Sequence, residues 1–150
     1  MSLAKHLETS KGVITEFVVL LEEEQRALAS SQIDGQAIVD LANRKNTIVE
    51  RLRQLEQVRN LVQQRKGYPD GLPGARQAAK DDGCSALWDE ILVLSTRAKN
   101  LNELNGMQVS MHMEQNRKRL AFLNKASDAQ IYGRDGKSQR KRLGGISTRA

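Results

Sequence analysis

Residues 85–126 decide the fold, and at their centre lies the run Leu101-Asn102-Glu103-Leu104-Asn105-Gly106-Met107. Before this run, apolar residues recur at steps of three and four, which places them on one helix face: Leu87, Ile91, Leu94, Ala98 and Leu101. Beyond Gly106 the same positions are polar, and the apolar stripe moves to Leu104, Met107 and Met111. We therefore predict one long helix over 85–126 whose two halves pack on different surfaces.

Two helices of similar length are predicted before this one. The first covers residues 2–31 and has a wide apolar face. The second covers 34–65 with Asp34 as its N-cap, and its seam steps by three or four throughout: Ile38, Leu41, Lys45, Ile48, Leu52, Leu55, Arg59 and Val62. The short link between the two helices predicts an antiparallel pair.

The remaining segments contain residues that disfavour long helices. Residues 66–84 hold both prolines and four glycines, so we predict a loop there, interrupted by a short helical turn at 75–80. Residues 127–150 are rich in Gly, Ser, Lys and Arg and are predicted to form a flexible, disordered basic tail. The expected architecture is all-α: a three-helix antiparallel bundle or coiled coil over residues 1–126, with a long third helix.

The net charge of +6 is concentrated in this tail. Between residues 134 and 150, a single acid, Asp135, stands against six basic residues: Arg134, Lys137, Arg140, Lys141, Arg142 and Arg149. The rest of the chain is nearly neutral, and aromatic residues make up only 3% of it. Nucleic-acid binding, which needs a broad basic face and favours stacking aromatics, is therefore a weak alternative.

The sequence carries no pattern of a catalytic or cofactor site. It lacks a glycine-rich phosphate loop and has one cysteine, Cys84, and two histidines, His6 and His112, far apart. We expect a protein that is not an enzyme and binds no metal or cofactor. No run of about 18 apolar residues is present, and the N-terminus does not have the pattern of a secretory signal, so a cytoplasmic location is expected.

Two segments are candidates for protein binding. Met107, Met111 and Met113 lie on the second half of the long helix, and methionine-rich faces suit partner helices, although an ordinary core or dimer contact is the simpler interpretation. Gly106 is interpreted as permitting close helix approach, and Asn102 and Asn105 as pairing across an interface or fixing a register. The isolated apolar pair Ile131-Tyr132 has the pattern of an anchor for a partner groove.

The sequence resembles the FlgN-type flagellar export chaperones over nearly its whole length. The resemblance rests on a Leu-, Glu- and Gln-rich N-terminal helical pair, on Leu87-Trp88, on the run from Leu101 to Gly106, and on the segment Ile131-Tyr132-Gly133-Arg134-Asp135-Gly136. It implies a small cytosolic chaperone of flagellar type III secretion. Such a protein binds the C-terminal helical segments of hook–filament junction proteins, prevents their premature self-association and brings them to the export apparatus.

The resemblance also implies roles for individual residues. The client-binding residues would be Asn102, Asn105, Gly106, Met107, Val109, Met111, Met113 and Leu120. Tyr132, with its neighbour Ile131, would dock onto the export apparatus. Two alternatives stay open: a coiled-coil adaptor or scaffold that dimerises through the same apolar stripe, including a homodimer formed without client, and a nucleic-acid-binding protein that acts through its basic tail.

Overall fold

The computed structural model describes residues 2–131, and all regular structure in that range is helical. The helices are α1 (Leu3–Ala29), α2 (Gly35–Arg65), α3 (Gly71–Asp81) and α4 (Ser85–Ile131). The prediction of an all-α helical bundle is confirmed, with four helices in the described residues in place of three. Within α4 the chain divides into an N-terminal unit, residues 1–108, and a C-terminal unit, residues 109–150.

Helix α1 is the central element of the N-terminal unit. Its first turn is capped by the Ser2 hydroxyl, which accepts a hydrogen bond from the Lys5 backbone N–H. Its wide apolar face supplies residues to both hydrophobic clusters of the core, including Leu7, Ile14 and Leu21. Because the buried face is broad, α1 packs against two neighbours at once, as its sequence predicts.

Helix α2 runs antiparallel to α1. Arg44 pairs with Glu23 near one end of the hairpin, and near the other end the His6 imidazole Nε2 lies 3.0 Å from the Leu55 carbonyl oxygen. The Asp34 carboxylate caps α2 by accepting from the backbone N–H groups of residues 36 and 37, as predicted. The seam of α2 is only partly buried. Leu41 is buried, and most of the other seam side chains are half-buried.

Helix α3 lies where the sequence predicts a loop, and it extends the predicted turn at 75–80 to eleven residues. Its buried face consists of small residues, Gly74, Ala75, Ala78 and Ala79, which give little hydrophobic signal. The buried Gln63 side chain holds its start, because its amide N–H group donates to the carbonyls of Pro69 and Gly71. Gly74 is required there, since a Cβ would collide with the Pro69 carbonyl oxygen.

Helix α4 runs parallel to α1 through the N-terminal unit. Glu90 pairs with Lys11 and Arg97 pairs with Glu22, while Trp88, Ile91 and Ala98 are buried. The helix continues to Ile131, five residues beyond its predicted end at 126. Ser127 and Asp128 lower helix propensity only slightly, and residues 127–132 contain neither Gly nor Pro.

The C-terminal unit is described from residue 109 to residue 131, and this part is entirely helical. Every residue from 109 to 130 is exposed except His112, which is half-buried. Arg117 donates two hydrogen bonds to the Glu114 carboxylate one turn earlier, at 2.7 and 3.0 Å. This contact lowers the pKa of the Glu114 carboxyl from its ordinary value.

Candidate functional site

Asn105, a predicted client-binding residue, is buried in the N-terminal unit. Its side chain is 1% exposed, and its amide nitrogen donates to the Leu21 carbonyl and to the Glu24 carboxylate, each at 2.9 Å. The side chain therefore binds α4 to α1 within the protein. Directional contacts of this kind set the register of two packed helices, so Asn105 fixes the register of α4 against α1 within the N-terminal unit.

Glu24 connects Asn105 to a second pair of polar residues. Its carboxylate is buried, and the Lys45 ammonium on α2 lies 3.2 Å from it. The same ammonium donates to the Asn102 side-chain oxygen at 3.2 Å. A buried carboxylate is tolerated when a cation and hydrogen-bond donors neutralise it, and Lys45 and Asn105 supply both. Asn102, Asn105, Glu24 and Lys45 form a polar network that joins α1, α2 and α4.

Two buried acceptors near this network have no hydrogen-bond partner among the described residues. They are the side-chain oxygens of Asn105 and Gln108.

The buried face of α4 continues beyond Leu101 along the same helical positions. Asn105 on this face is buried, and Gln108 and His112 are half-buried. Leu104 and Met107, to which the apolar stripe moves, are instead exposed.

Gly106 has no close neighbour in the structure. A Cβ placed on it meets no atom within 4 Å, so Gly106 does not permit a close helix approach within the described part of the chain. Close approach of a client helix at Gly106 stays a prediction. The interpretation rested on the place of Gly106 in the middle of a helix. A glycine there destabilises the helix by about 1 kcal/mol relative to alanine, whether or not another helix packs against it.

The other predicted client-binding residues lie on the surface of α4. Met107 is exposed in the N-terminal unit, and the rest are exposed in the C-terminal unit: Val109, Met111, Met113 and Leu120. Sequence analysis missed Phe122 and Leu123, which are also exposed. The signal for Leu123 was available, since Val109, Met113, Leu120 and Leu123 follow heptad spacing, with Asn116 at the intervening position. We call these four apolar residues the C-terminal stripe.

The predicted export-apparatus residues fall at the limit of the description. Ile131 is the last residue of α4, and Tyr132 lies outside the described residues, as does the basic segment 137–150. The docking role of Ile131 and Tyr132 stays a prediction.

The described residues show neither a membrane span nor a cluster of metal ligands. Over any stretch long enough to cross a bilayer, the helices within residues 2–131 are too polar to do so. In the same part of the chain, no three His, Cys, Asp or Glu side chains are grouped where they could hold a metal ion. Cys84 is a buried free thiol.

Comparison with known proteins identifies the family. The family model described as FlgN protein matches residues 1–140. The flagella synthesis protein FlgN of Proteus mirabilis is 27% identical over 95% of this chain and 94% of its own length. The proteins of the same name from Salmonella typhimurium and Escherichia coli are 26% and 25% identical over the same shares. No solved structure matches significantly. The chain belongs to the FlgN protein family.

Proposed function

We propose that this protein is a cytoplasmic chaperone of flagellar export. It binds the C-terminal helical segments of hook–filament junction proteins, prevents their premature self-association and delivers them to the export apparatus. Family membership supports a flagellar role, since the relatives are named flagella synthesis proteins. The mode of client binding rests on the chemistry of the chain itself.

The observation that carries the proposal is the exposed C-terminal stripe. Met113 is 67% exposed and Leu120 is 62% exposed, on a helix with no buried residue between positions 109 and 130. Most of the stability of helices in proteins comes from packing of an apolar face, so this helix gains stability from a partner that covers the stripe. Methionine adapts its shape to different partners, which suits a surface that accepts client helices.

Heptad spacing on the stripe fits a helical partner. Side chains at these positions lie along one seam and can interdigitate with an amphipathic helix. The client segment of a junction protein has to be kept from associating with its own kind before assembly. Covering its apolar face with the C-terminal stripe achieves this without any energy-consuming step.

The decisive experiment compares two neighbouring aspartate substitutions by calorimetry. Leu120→Asp places a charge on the stripe, whereas the matched control Ala121→Asp places the same charge at an exposed position beside it. We expect Leu120→Asp to weaken binding of a junction-protein C-terminal peptide by at least about tenfold, a loss typical of an interface centre, and the control to change it little. Equal affinities for both variants would remove the stripe from the client site.

A dimeric adaptor is the second candidate, because heptad spacing also suits self-association. Sedimentation equilibrium of the full chain separates the two. A dimer that Leu120→Asp dissociates, together with no binding of client peptide, would favour the adaptor. A monomer that binds client at a ratio of one to one would favour the chaperone.

A further inference from the structure

A groove of about 510 Å³ opens between α2 and α4 in the N-terminal unit. Helix α1 forms its floor, and the flanking helices form its walls; the apolar lining includes Ile14, Phe17, Leu52, Leu55, Ile91 and Leu92. Removing one leucine side chain from a protein core leaves a cavity of about 150 Å³, so this groove has room for about three such side chains. It shares no residue with the C-terminal stripe.

On α4 the groove lining runs from Trp88 to Asn102, and each of these two residues has a polar contact with α2. At one end the Lys45 ammonium lies 3.2 Å from the Asn102 side-chain oxygen. At the other end the Arg59 guanidinium lies over the Trp88 ring, 5.5 Å from its centroid. On each helix the two contacts are 14 residues apart, which corresponds to about 21 Å. Along α4 the groove lining therefore has the length of nearly four helical turns, whereas along α2 it runs only from Leu52 to Arg59, about two turns. This length fits the last turns of a helix with anchors at the usual spacing of three and four residues.

Three charged side chains line the groove, Glu56, Arg59 and Lys99, and their net charge of +1 favours a negatively charged occupant. Arg59 is only 13% exposed at its side chain, and burial lowers the pKa of its guanidinium. Its Nη1 donates to the Gln63 side-chain oxygen at 2.9 Å, and its Nη2 forms an ion pair with the 65% exposed Glu56 carboxylate at 3.7 Å, a distance too long for a hydrogen bond. Lys99 also lines the groove and forms no ion pair with any residue in the range 2–131.

A desolvated guanidinium with unused donors binds carboxylates well, since its planar fork can donate two parallel hydrogen bonds. The C-terminal turn of a helix offers unpaired carbonyl groups, and at a chain end it also offers a free carboxylate. When the client chain ends at its last helical turn, the unpaired carbonyl groups and the free carboxylate lie at the same end of the helix. An acidic side chain in the middle of a helix would bring the carboxylate without those carbonyls.

We propose that this groove binds the last turns of an amphipathic client helix, with the C-terminal carboxylate of the client at Arg59 and an acidic side chain of the same helix at Lys99. The inference rests on the proposed chaperone function, because the occupant is the chain end of the client. It adds a second docking surface to the C-terminal stripe and gives the bound helix a direction, parallel to α2.

Trp88 makes the groove directly observable. It is the only tryptophan of the chain and lines the groove, so its emission responds to an occupant beside it. The probe is a tryptophan-free peptide of about twenty residues, long enough for five helical turns, from the C-terminus of a junction protein. It is made as the free acid and as the C-terminal amide, and each form is titrated by calorimetry and by Trp88 fluorescence.

Two substitutions with matched controls locate the peptide. Ser95→Phe fills the groove from an exposed position, and Val93→Phe adds the same bulk on α4 outside the groove lining. Arg59→Met removes the charge but keeps the apolar stem, and Arg51→Met does the same at an exposed position of α2 outside the groove. We expect Ser95→Phe to weaken binding about tenfold and abolish the fluorescence change, with Val93→Phe without effect.

The amide form isolates the carboxylate. We expect amidation to weaken binding to the unmodified protein about fivefold, and to weaken binding to Arg59→Met hardly at all, because the charge pair is already missing there. Arg51→Met should respond to amidation like the unmodified protein. Equal affinities of acid and amide for the unmodified protein would overturn the placement of the chain end at Arg59.

Failure of this inference differs from failure of the proposed function. Peptide binding that is detected by calorimetry, leaves Trp88 emission unchanged and tolerates Ser95→Phe would overturn the groove proposal and leave the chaperone function standing. Absence of calorimetric binding to the unmodified protein, over junction-protein peptides of both forms, would overturn both.

Discussion

Replacing Asn105 by alanine is expected to destabilise the N-terminal unit by about 2 kcal/mol. The substitution removes the hydrogen bonds to the Leu21 carbonyl and the Glu24 carboxylate. A neutral hydrogen bond contributes about 1 kcal/mol and one to a charged group about 1.5–3 kcal/mol. Two gains offset part of this loss: alanine has the higher helix propensity, by about 0.6 kcal/mol, and the unpaired Asn105 oxygen disappears.

The assay is urea denaturation followed by Trp88 fluorescence, which reports on the core of the N-terminal unit because Trp88 is buried there. With a denaturant slope near 2 kcal/mol per molar, the midpoint should fall by about 1 M at unchanged slope. Asn100→Ala is the matched control, since Asn100 is exposed on the same helix. The control should raise the midpoint slightly through helix propensity alone.

If Asn105→Ala shifts the midpoint upward to the same extent as Asn100→Ala, the hydrogen bonds to α1 contribute nothing net to stability. The role of Asn105 in setting the register of α4 would then have no energetic basis.

Three further predictions follow from glycines and from a tyrosine. Gly106→Ala should stabilise α4 by about 1 kcal/mol, seen as a higher melting temperature by circular dichroism, because a Cβ there meets open space; a lower melting temperature would show a contact that the structure lacks. Gly74→Ala should destabilise by about 2 kcal/mol in the same measurement, because the Cβ collides with the Pro69 carbonyl, whereas Gly12→Ala, in open space on α1, should stabilise. The Tyr68 hydroxyl donates to the Asp81 carboxylate at 2.8 Å, and this hydrogen bond raises the pKa of Tyr68 above its ordinary value of 10.0. The native state therefore holds the hydroxyl proton more tightly than the unfolded chain does, so the free energy of unfolding should fall as pH rises above 10. The fall should be smaller in Tyr68→Phe.

Much of the fold follows from local signals in the sequence. The Asp34 cap and the seam of α2 need only nearby residues, and the structure contains both. Helix α3 was harder to predict because its buried residues are alanine and glycine, and because Pro69 and Pro73 flank or enter it. The stability of α3 comes from a specific contact with another helix, in which the Gln63 side chain of α2 donates hydrogen bonds to the carbonyls at the start of α3.

The candidate site shows where prediction from sequence ends. Met111, Met113 and Leu120 are exposed, which agrees with their predicted place on a binding surface. Their contact with a client stays a prediction. The position of Asn105 could not be predicted, since its burial depends on Leu21 and Glu24, more than eighty residues earlier. No local pattern distinguishes an asparagine that faces a client from one that faces its own chain.

The polar network has a consequence for the order in which the chain folds during synthesis. The α1–α2 hairpin is closed by contacts only 21 residues apart, such as Arg44 with Glu23, so it can form as soon as those residues leave the ribosome. Asn105 reaches back 84 residues to Leu21, and until it is made, the Glu24 carboxylate lacks one of its donors. The face of α1 that packs against α4 therefore stays uncovered in the nascent hairpin until α4 has been synthesised.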